Sequence, residues 1–344
     1  MEKSRESVFV SAIRSFCRMF FGMCGIFLAF VLLILGYSAF SSVSTNEEKT
    51  TMNYLTDANG SETVASLTSP VVLQINIHGV IGEPKTLDSD TFQHILTDSR
   101  VGLLASNRVK GILLRINTPG GTVVDSDNIY RMLMDYKQRF QVPVFAYVDG
   151  LCASGGMYIA CAADRIYASP ASTIGSVGTL IGPFFNIHTA LEKIGVTTEM
   201  ITEGLDKDMM SPFRPWKQGE NISLKNLIGY FYNQFVDLVA ASRPRIDKTK
   251  LINEYGAQIF DPIKSQELGY IDVANASRSE ALLALMQEAK IDPSKPYQVV
   301  ELAPKNDWLS LFSSQSPLFT GKFVHSLGGQ KPFLQGQLSY LYQN

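Results

Sequence analysis

One serine set among small residues is the first candidate for chemistry in this sequence. Ser154 stands in "GLCASGGMYIACAAD" (150–164), a stretch with almost no charge. It lies between a β-rich run and the start of a helical pattern. At such a corner a side chain is presented outward. The first N–H groups of the helix have no intrahelical partner, so they face any negative charge that develops there. The N–H of Gly155 is the nearest of them, and glycine lets a backbone approach a ligand closely. Small residues also suit a tight turn that does no chemistry. The stretch alone therefore leaves Ser154 either as a nucleophile or as a turn residue.

A serine nucleophile needs a base. The four histidines are His78, His94, His188 and His325. His78 ends a strand pattern, His94 and His188 fall in helical patterns, and His325 lies in the C-terminal tail. None has a local context that marks it, although His78 and His188 remain alternatives for a triad. Lys207, in "EGLDKDMMSPFR", is the other choice, because Met209, Met210 and Pro212 follow it. A lysine base must be neutral near pH 7. That requires a fall of about 3 units from its ordinary value, at a cost of about 4 kcal/mol, which an apolar pocket can impose. If the segment is extended, Asp206 and Asp208 point away from the face that carries Lys207.

The elements around these residues alternate. "VVLQINIHGVIG" starts a strand, "KGILLRIN" (110–117) is a short apolar run, and "SDNIYRMLMDYKQRF" (126–140) has helical spacing. "VPVFAYVD" (142–149) is again β-rich. After the Ser154 stretch come "RIYASP", "STIGSVGTLIG", a helix near 186–195, and "VTTEMIT" as a further strand. This is the pattern of βαβ units, with buried parallel strands and ligand sites at their carboxyl ends. A long amphipathic helix is expected over 222–242, and turn, short helix and strand over 256–273. Periodicity fades after about residue 303. No internal repeat appears, which favours one catalytic domain.

The chain has 344 residues, of which 45% are hydrophobic and 18% charged, with a net charge of −2. That composition is globular and gives no nucleic-acid footprint. There is no GxxxxGK[ST] phosphate loop, so nucleotide is not an expected partner. Met19–Phe40 is a run of 22 residues without a charge, long enough to cross a bilayer core of about 30 Å. A cleaved signal peptide is the alternative, since "SAFSS" resembles a cleavage site. Its apolar core is usually only about 7–15 residues, which favours an uncleaved anchor. Lys3, Arg5, Arg14 and Arg18 precede the run, placing the N-terminus inside and the rest of the chain outside. Residues 42–69 are polar and read as a tether. Cys152 and Cys161 sit about 10 Å or more apart along a helix beginning near Ser154, too far to bridge. They read as buried free thiols.

Three segments in order, "INTPGG" (116–121), "DGLCASGGMYIACAADRIYASPASTIGSVG" (149–178) and "EGLDKDMMSPFRPWKQGE" (203–220), resemble the signal peptide peptidase A family of bacterial membrane serine proteases. The resemblance extends from about Val71 to Ala289. It implies an α/β fold of the Clp-protease/crotonase-like class, with repeated ββα/βαβ units and one N-terminal transmembrane helix. By position, Ser154 matches the nucleophile and Lys207 the general base of a Ser–Lys dyad. Gly121 matches the oxyanion-hole glycine with Gly155 as second donor, and Ser176 matches a serine that helps hold the lysine. Two departures stand near the base. Thr202 and Glu203 replace the family's basic and small residues, and Asp206 replaces its aromatic residue. The implied layout is a cytoplasmic N-terminus (1–18), an anchor (19–40), a tether (41–69), a peptidase domain (70–303) and a C-terminal arm (304–344). The implied protein is a ring-shaped homo-oligomer at the inner membrane with its catalytic domain on the periplasmic side. It needs no cofactor or metal, and it acts on signal-peptide remnants and other exported peptides. A protease trimming one membrane partner, as in the stomatin-processing enzymes, and a catalytically silent scaffold are the alternatives.

Overall fold

The computed structural model describes residues 8–41, 50–62, 66–83, 86–304 and 339–341. The chain divides into two units, Met1–Glu48 and Lys49–Asn344. The first contains one helix, α1 (Val8–Ser41). Its stretch Ile13–Ile34 has 22 residues at a mean hydropathy of 2.3, apolar and long enough to cross a membrane. This stretch starts earlier than the charge-free run because the helix takes in Arg14 and Arg18. Their long side chains can carry the charge toward an interface.

In the second unit the strands are β1 (Thr50–Leu55), β2 (Val71–His78), β3 (Val109–Thr118), β4 (Gly120–Thr122), β5 (Val144–Ala153), β6 (Arg165–Ala168), β7 (Thr173–Gly175), β8 (Ile259–Phe260), β9 (Gln298–Pro304) and β10 (Ser339–Leu341). The helices are α2 (Ser89–Asp98), α3 (Val123–Phe140), α4 (Gly155–Ala160), α5 (His188–Lys193), α6 (Ile222–Ser242), α7 (Lys248–Lys250), α8 (Pro262–Leu268) and α9 (Arg278–Glu288). One sheet runs in the order β1-β9-β2-β3-β5-β7-β8, and β6 also pairs with β5. Its centre is parallel, and both edge strands, β1 and β8, are antiparallel to their neighbours.

The central strands are apolar on both faces, as their unbroken apolar runs require. One face carries Leu73, Ile75, Ile77, Ile112, Leu114, Ile116, Val144, Ala146 and Val148, packed in a single core with Phe92, Ile129, Leu133 and Met157 of α2, α3 and α4. The other carries Val72, Leu113, Phe145 and Tyr147 against Leu282, Leu285 and Met286 of α9. Side chains alternate along each strand, so residues of one parity meet one helical layer and those of the other parity meet the opposite layer. Helix starts are fixed locally. Thr122 caps α3 by accepting from Asp125 N, and Ser277 with Glu280 forms a capping box on α9.

Three expectations change here. Thr50–Leu55 is not tether but the edge strand β1, in register with Val299–Pro304. "VTTEMIT" (196–202) is not a strand: among the described residues no neighbour pairs with it, and every residue there is exposed. The stretch around Lys207 is not extended: residues 205–210 form successive turns, with Asp206 at φ 54° and Met210 at φ 57°. The helices expected near 186–195 and over 222–242 are α5 and α6.

Candidate active site

Ser154 sits where β5 ends and α4 begins, at the carboxyl end of a central parallel strand. Its backbone is at φ 53°, ψ −115°, a conformation that suits glycine and is strained for serine by about 1–3 kcal/mol. Two ladders enforce that geometry. Ser154 N donates to Gly175 O (3.0 Å), and Tyr158 N donates to Ser154 O (2.9 Å). The side chain gains little in return. It is buried at 1% exposure, and its Oγ makes one long contact, 3.5 Å, to Gly178 O. A strained, weakly bonded serine on a strand-to-helix elbow is the geometry of a nucleophile, and a turn residue would gain nothing from it.

Gly155 and Gly156 open α4, so the Gly155 N–H is a free helix-start donor beside Ser154. A Cβ at Gly156 would meet Thr118 Cγ2 at 2.5 Å, which explains the second glycine as close packing. Gly121 lies in β4. Its neighbours bond to one side: Ile81 N donates to Gly120 O (2.9 Å), and Thr122 N donates to Ile81 O (3.0 Å). By alternation the N–H and C=O of Gly121 face the other edge. There β10 adds as an antiparallel strand, with Tyr340 opposite Gly121. The added strand also lies against α3 and α4. Thr118 holds the turn before β4, donating to Gly79 O (2.5 Å) and accepting from Gly120 N (3.0 Å). Neither Thr118 nor β10 was visible as a site element in the sequence. The threonine precedes "PGG", which is the signal that could have found it, whereas the strand pairing spans more than 200 residues.

Ser176 is buried at φ 55°, one residue past the Gly175 carbonyl that receives the Ser154 N–H. Ser154, Gly155 and Ser176 are thus brought together at the ends of β5 and β7. Among the described residues, no hydrogen bond joins Lys207 to them. It is exposed, and Ser154 Oγ has only the Gly178 contact. Among the described residues, no histidine is hydrogen-bonded to Ser154 Oγ. His188 faces Phe213 O (3.1 Å) on the Lys207-bearing segment and Glu192 (3.4 Å) on its own helix α5. His78 is held below its ordinary protonation range mainly by burial, and His325 lies outside the described residues. Cys152 and Cys161 are buried free thiols, as expected. Burial pushes Cys161 up to about 11 and Cys152 higher still, which keeps both unreactive. A cavity of about 620 Å³ lined by Lys110, Lys137, Asp164 and Lys290 lies at the amino ends of β3 and β5, away from Ser154.

A strained serine at the carboxyl end of a parallel strand, with a helix-start N–H beside it, is an arrangement that suits a serine nucleophile in an α/β protein. Comparisons with known proteins narrow this. Residues 137–292 match Peptidase family S49. A protein of Enterococcus faecium named as a signal peptide peptidase SppA is 31% identical over 248 residues, covering 71% of this chain and 69% of that protein. The chloroplastic serine protease SPPA of Arabidopsis thaliana is 30% identical over 203 residues, covering 58% of this chain and 29% of that one. Among solved structures, a membrane-bound stomatin-specific protease mutant in complex with a substrate peptide overlaps 70% of this chain and 94% of its own, at 18% identity and a TM-score of 0.42. The chain belongs to peptidase family S49 and is a serine peptidase.

Proposed function

We propose that this chain is a membrane-anchored endopeptidase that works without ATP and uses Ser154 and Lys207 as a dyad on extended peptides. The observation that carries the reading is the strained, weakly bonded Ser154 elbow with the Gly155 N–H at the helix start beside it. Neutral Lys207 accepts the Ser154 proton as Oγ attacks the scissile carbonyl. The N–H groups of Gly121 and Gly155 receive the oxyanion, a contribution of about 3–4 kcal/mol per donor. The protonated lysine then passes the proton to the leaving amine, and water releases the acyl group. Ser176, next to the nucleophile, serves to hold the lysine.

The exposure of Lys207, with no hydrogen bond to Ser154 in the single subunit, fits a site completed by assembly. Residues 195–205 are wholly exposed, with Ile201 at 92% and Leu205 at 95% exposure. A ring of copies would cover this apolar segment, and the burial would also strip water from Lys207, as a lysine base requires. With α1 as anchor and basic residues before it, the peptidase domain lies outside the cytoplasm. Signal-peptide remnants and exported segments are then the peptides at hand. A serine-reactive fluorophosphonate tests the reading in the full-length protein. It is expected to label wild type and not Ser154→Ala, and labelling that survives the substitution would overturn the assignment.

Two further outcomes follow from the geometry. A Cβ at Gly121 would lie 2.0 Å from Ile81 O, so Gly121→Ala must displace β4. Peptidase activity is expected to fall at least about 100-fold, the scale of a lost oxyanion donor, whereas an active variant would remove Gly121 from the site. Second, β10 occupies the edge of β4 on which an extended peptide would add. Deleting residues 339–344 is expected to raise kcat/KM for a short peptide several-fold. An unchanged rate would show that substrate binds elsewhere.

A further inference from the structure

The segment that carries Lys207 contrasts with the chain before it. Residues 195–203 form no regular element, but from the turn at 204–210 onward the chain is tied into a knot centred on Arg214. Its Nε donates to Asp208 Oδ2 (2.5 Å), and its Nη2 donates both to Asp208 O (2.8 Å) and to Glu220 Oε2 (2.7 Å). Nη1 donates to Pro215 O (2.9 Å). The Glu220 side chain is only 2% exposed, a buried charge that persists only with a cation beside it. Around this core Trp216 Nε1 donates to Ser211 O (2.9 Å), and Asn186 Nδ2 donates to Arg214 O (2.9 Å). The turn itself closes through Met209 N to Asp206 O (2.9 Å) and Ser211 N to Asp208 O (3.1 Å).

The knot has a mechanical and an electrical consequence for the residue next to it. Mechanically, the guanidinium grips both the carbonyl and the carboxylate of Asp208, so the backbone on the C-terminal side of Lys207 is fixed relative to the start of α6. Electrically, Glu203, Asp206 and Asp208 are the carboxylates that flank Lys207 in the chain. On the returning segment of the knot the charged groups are Arg214, Lys217 and Glu220. Arg214 and, at 3.7 Å, Lys217 lie on the Asp208 carboxylate, and Arg214 also spans to Glu220. The guanidinium holds the carboxyls of Asp208 and Glu220 below the usual carboxylate range. The Asp208 carboxylate, one residue from Lys207 in the chain, is therefore already matched by a cation.

We propose that Arg214 is a positioning residue for the general base. By clamping Asp208 to the buried Glu220, it fixes the turn that presents Lys207 and offsets the carboxylate that would otherwise keep the lysine protonated. This rests on the reading of Lys207 as the base. The signal was present in the sequence as "DMMSPFRPWKQGE", but only the fold shows that one arginine serves both carboxylates.

The test is the pH dependence of kcat/KM in the full-length protein, measured on a short peptide. Lys207→Ala is assayed first, because retained activity there would remove the base itself and not the clamp. With Lys207→Ala inactive, Asp208→Asn is expected to move the rising alkaline limb to lower pH, since a carboxylate beside the ammonium is lost. Arg214→Gln is expected to move it to higher pH by about half a unit or more, with kcat reduced at least tenfold and KM little changed. Arg214→Lys, which keeps the charge but not the fork, should retain the limb and lose part of kcat. Arg214→Gln also leaves Glu220 buried without its cation, so its melting temperature is measured alongside. Asp208→Asn leaves the Arg214–Glu220 pair in place and decides the question if Arg214→Gln does not fold. Limbs that coincide with wild type in Asp208→Asn and in folded Arg214→Gln would overturn the proposal, because a purely structural pair lowers activity without moving the limb.

Discussion

Ser154→Ala is expected to abolish peptide hydrolysis and leave the protein folded, while Ser154→Gly is expected to abolish it and raise stability. The first outcome follows from removing one oxygen whose sole contact is the 3.5 Å approach to Gly178 O. Loss of the nucleophile from a covalent mechanism costs about four orders of magnitude or more in kcat, so residual turnover near wild type would sink the assignment. The second outcome separates a strained nucleophile from an ordinary turn serine. At φ 53° and ψ −115° serine pays for a conformation that glycine adopts freely. Relief of about 1–3 kcal/mol exceeds the extra chain entropy of glycine, about 0.5–1 kcal/mol, leaving a gain of about 1 kcal/mol. In a unit of this size that gain is about 2–4 °C in Tm. A serine kept for packing would lose stability on either change. Thermal unfolding of the three proteins side by side, with the fluorophosphonate reaction as the activity readout, checks both outcomes.

The parts of this site that could be read from sequence are those built from local chemistry. Small residues between a β-rich run and a helical period put Ser154 at a corner, and "PGG" put Gly121 where a backbone must come close to something. The structure supplies the reason for the second: Ile81 O occupies the space a side chain would need. The long helix α6 was legible because twenty-one residues keep one period. What escaped depends on partners far along the chain. "VTTEMIT" has strong β-formers, but β-propensity is realised only against a neighbouring strand. The place beside β7 is instead taken by Ile259–Phe260. Thr50–Leu55 reads as tether because it alternates weakly. It becomes a strand only through β9, some 250 residues on. The pairing of β10 with β4 is hidden for the same reason, and so is the Arg214 clamp, whose two carboxylates lie six residues to either side.

Lys207→Arg is expected to be as inactive as Lys207→Ala, and the comparison separates a base from a charge. Lys207 is exposed in the single subunit and bonds to nothing near Ser154, so two roles are open to it. As a fixed cation it would bind a substrate carboxylate or steer acidic peptides. Arginine would serve there nearly as well or better, because its planar fork grips carboxylates in pairs. As a general base it must give up its proton, which a guanidinium does not do at any working pH. The two roles therefore predict opposite outcomes for one substitution. A base gives a fall of several orders of magnitude in kcat with KM little changed. A binding cation gives a modest change carried by KM. The assay is made on the assembled full-length protein, because the segment bearing Lys207 is the one left uncovered in a lone subunit. Substantial turnover by Lys207→Arg would return the search for the base to His188, which faces Phe213 O on the same segment. An inactive Lys207→Arg that still reacts, however slowly, with the fluorophosphonate would place the defect in proton transfer rather than in the fold of the site.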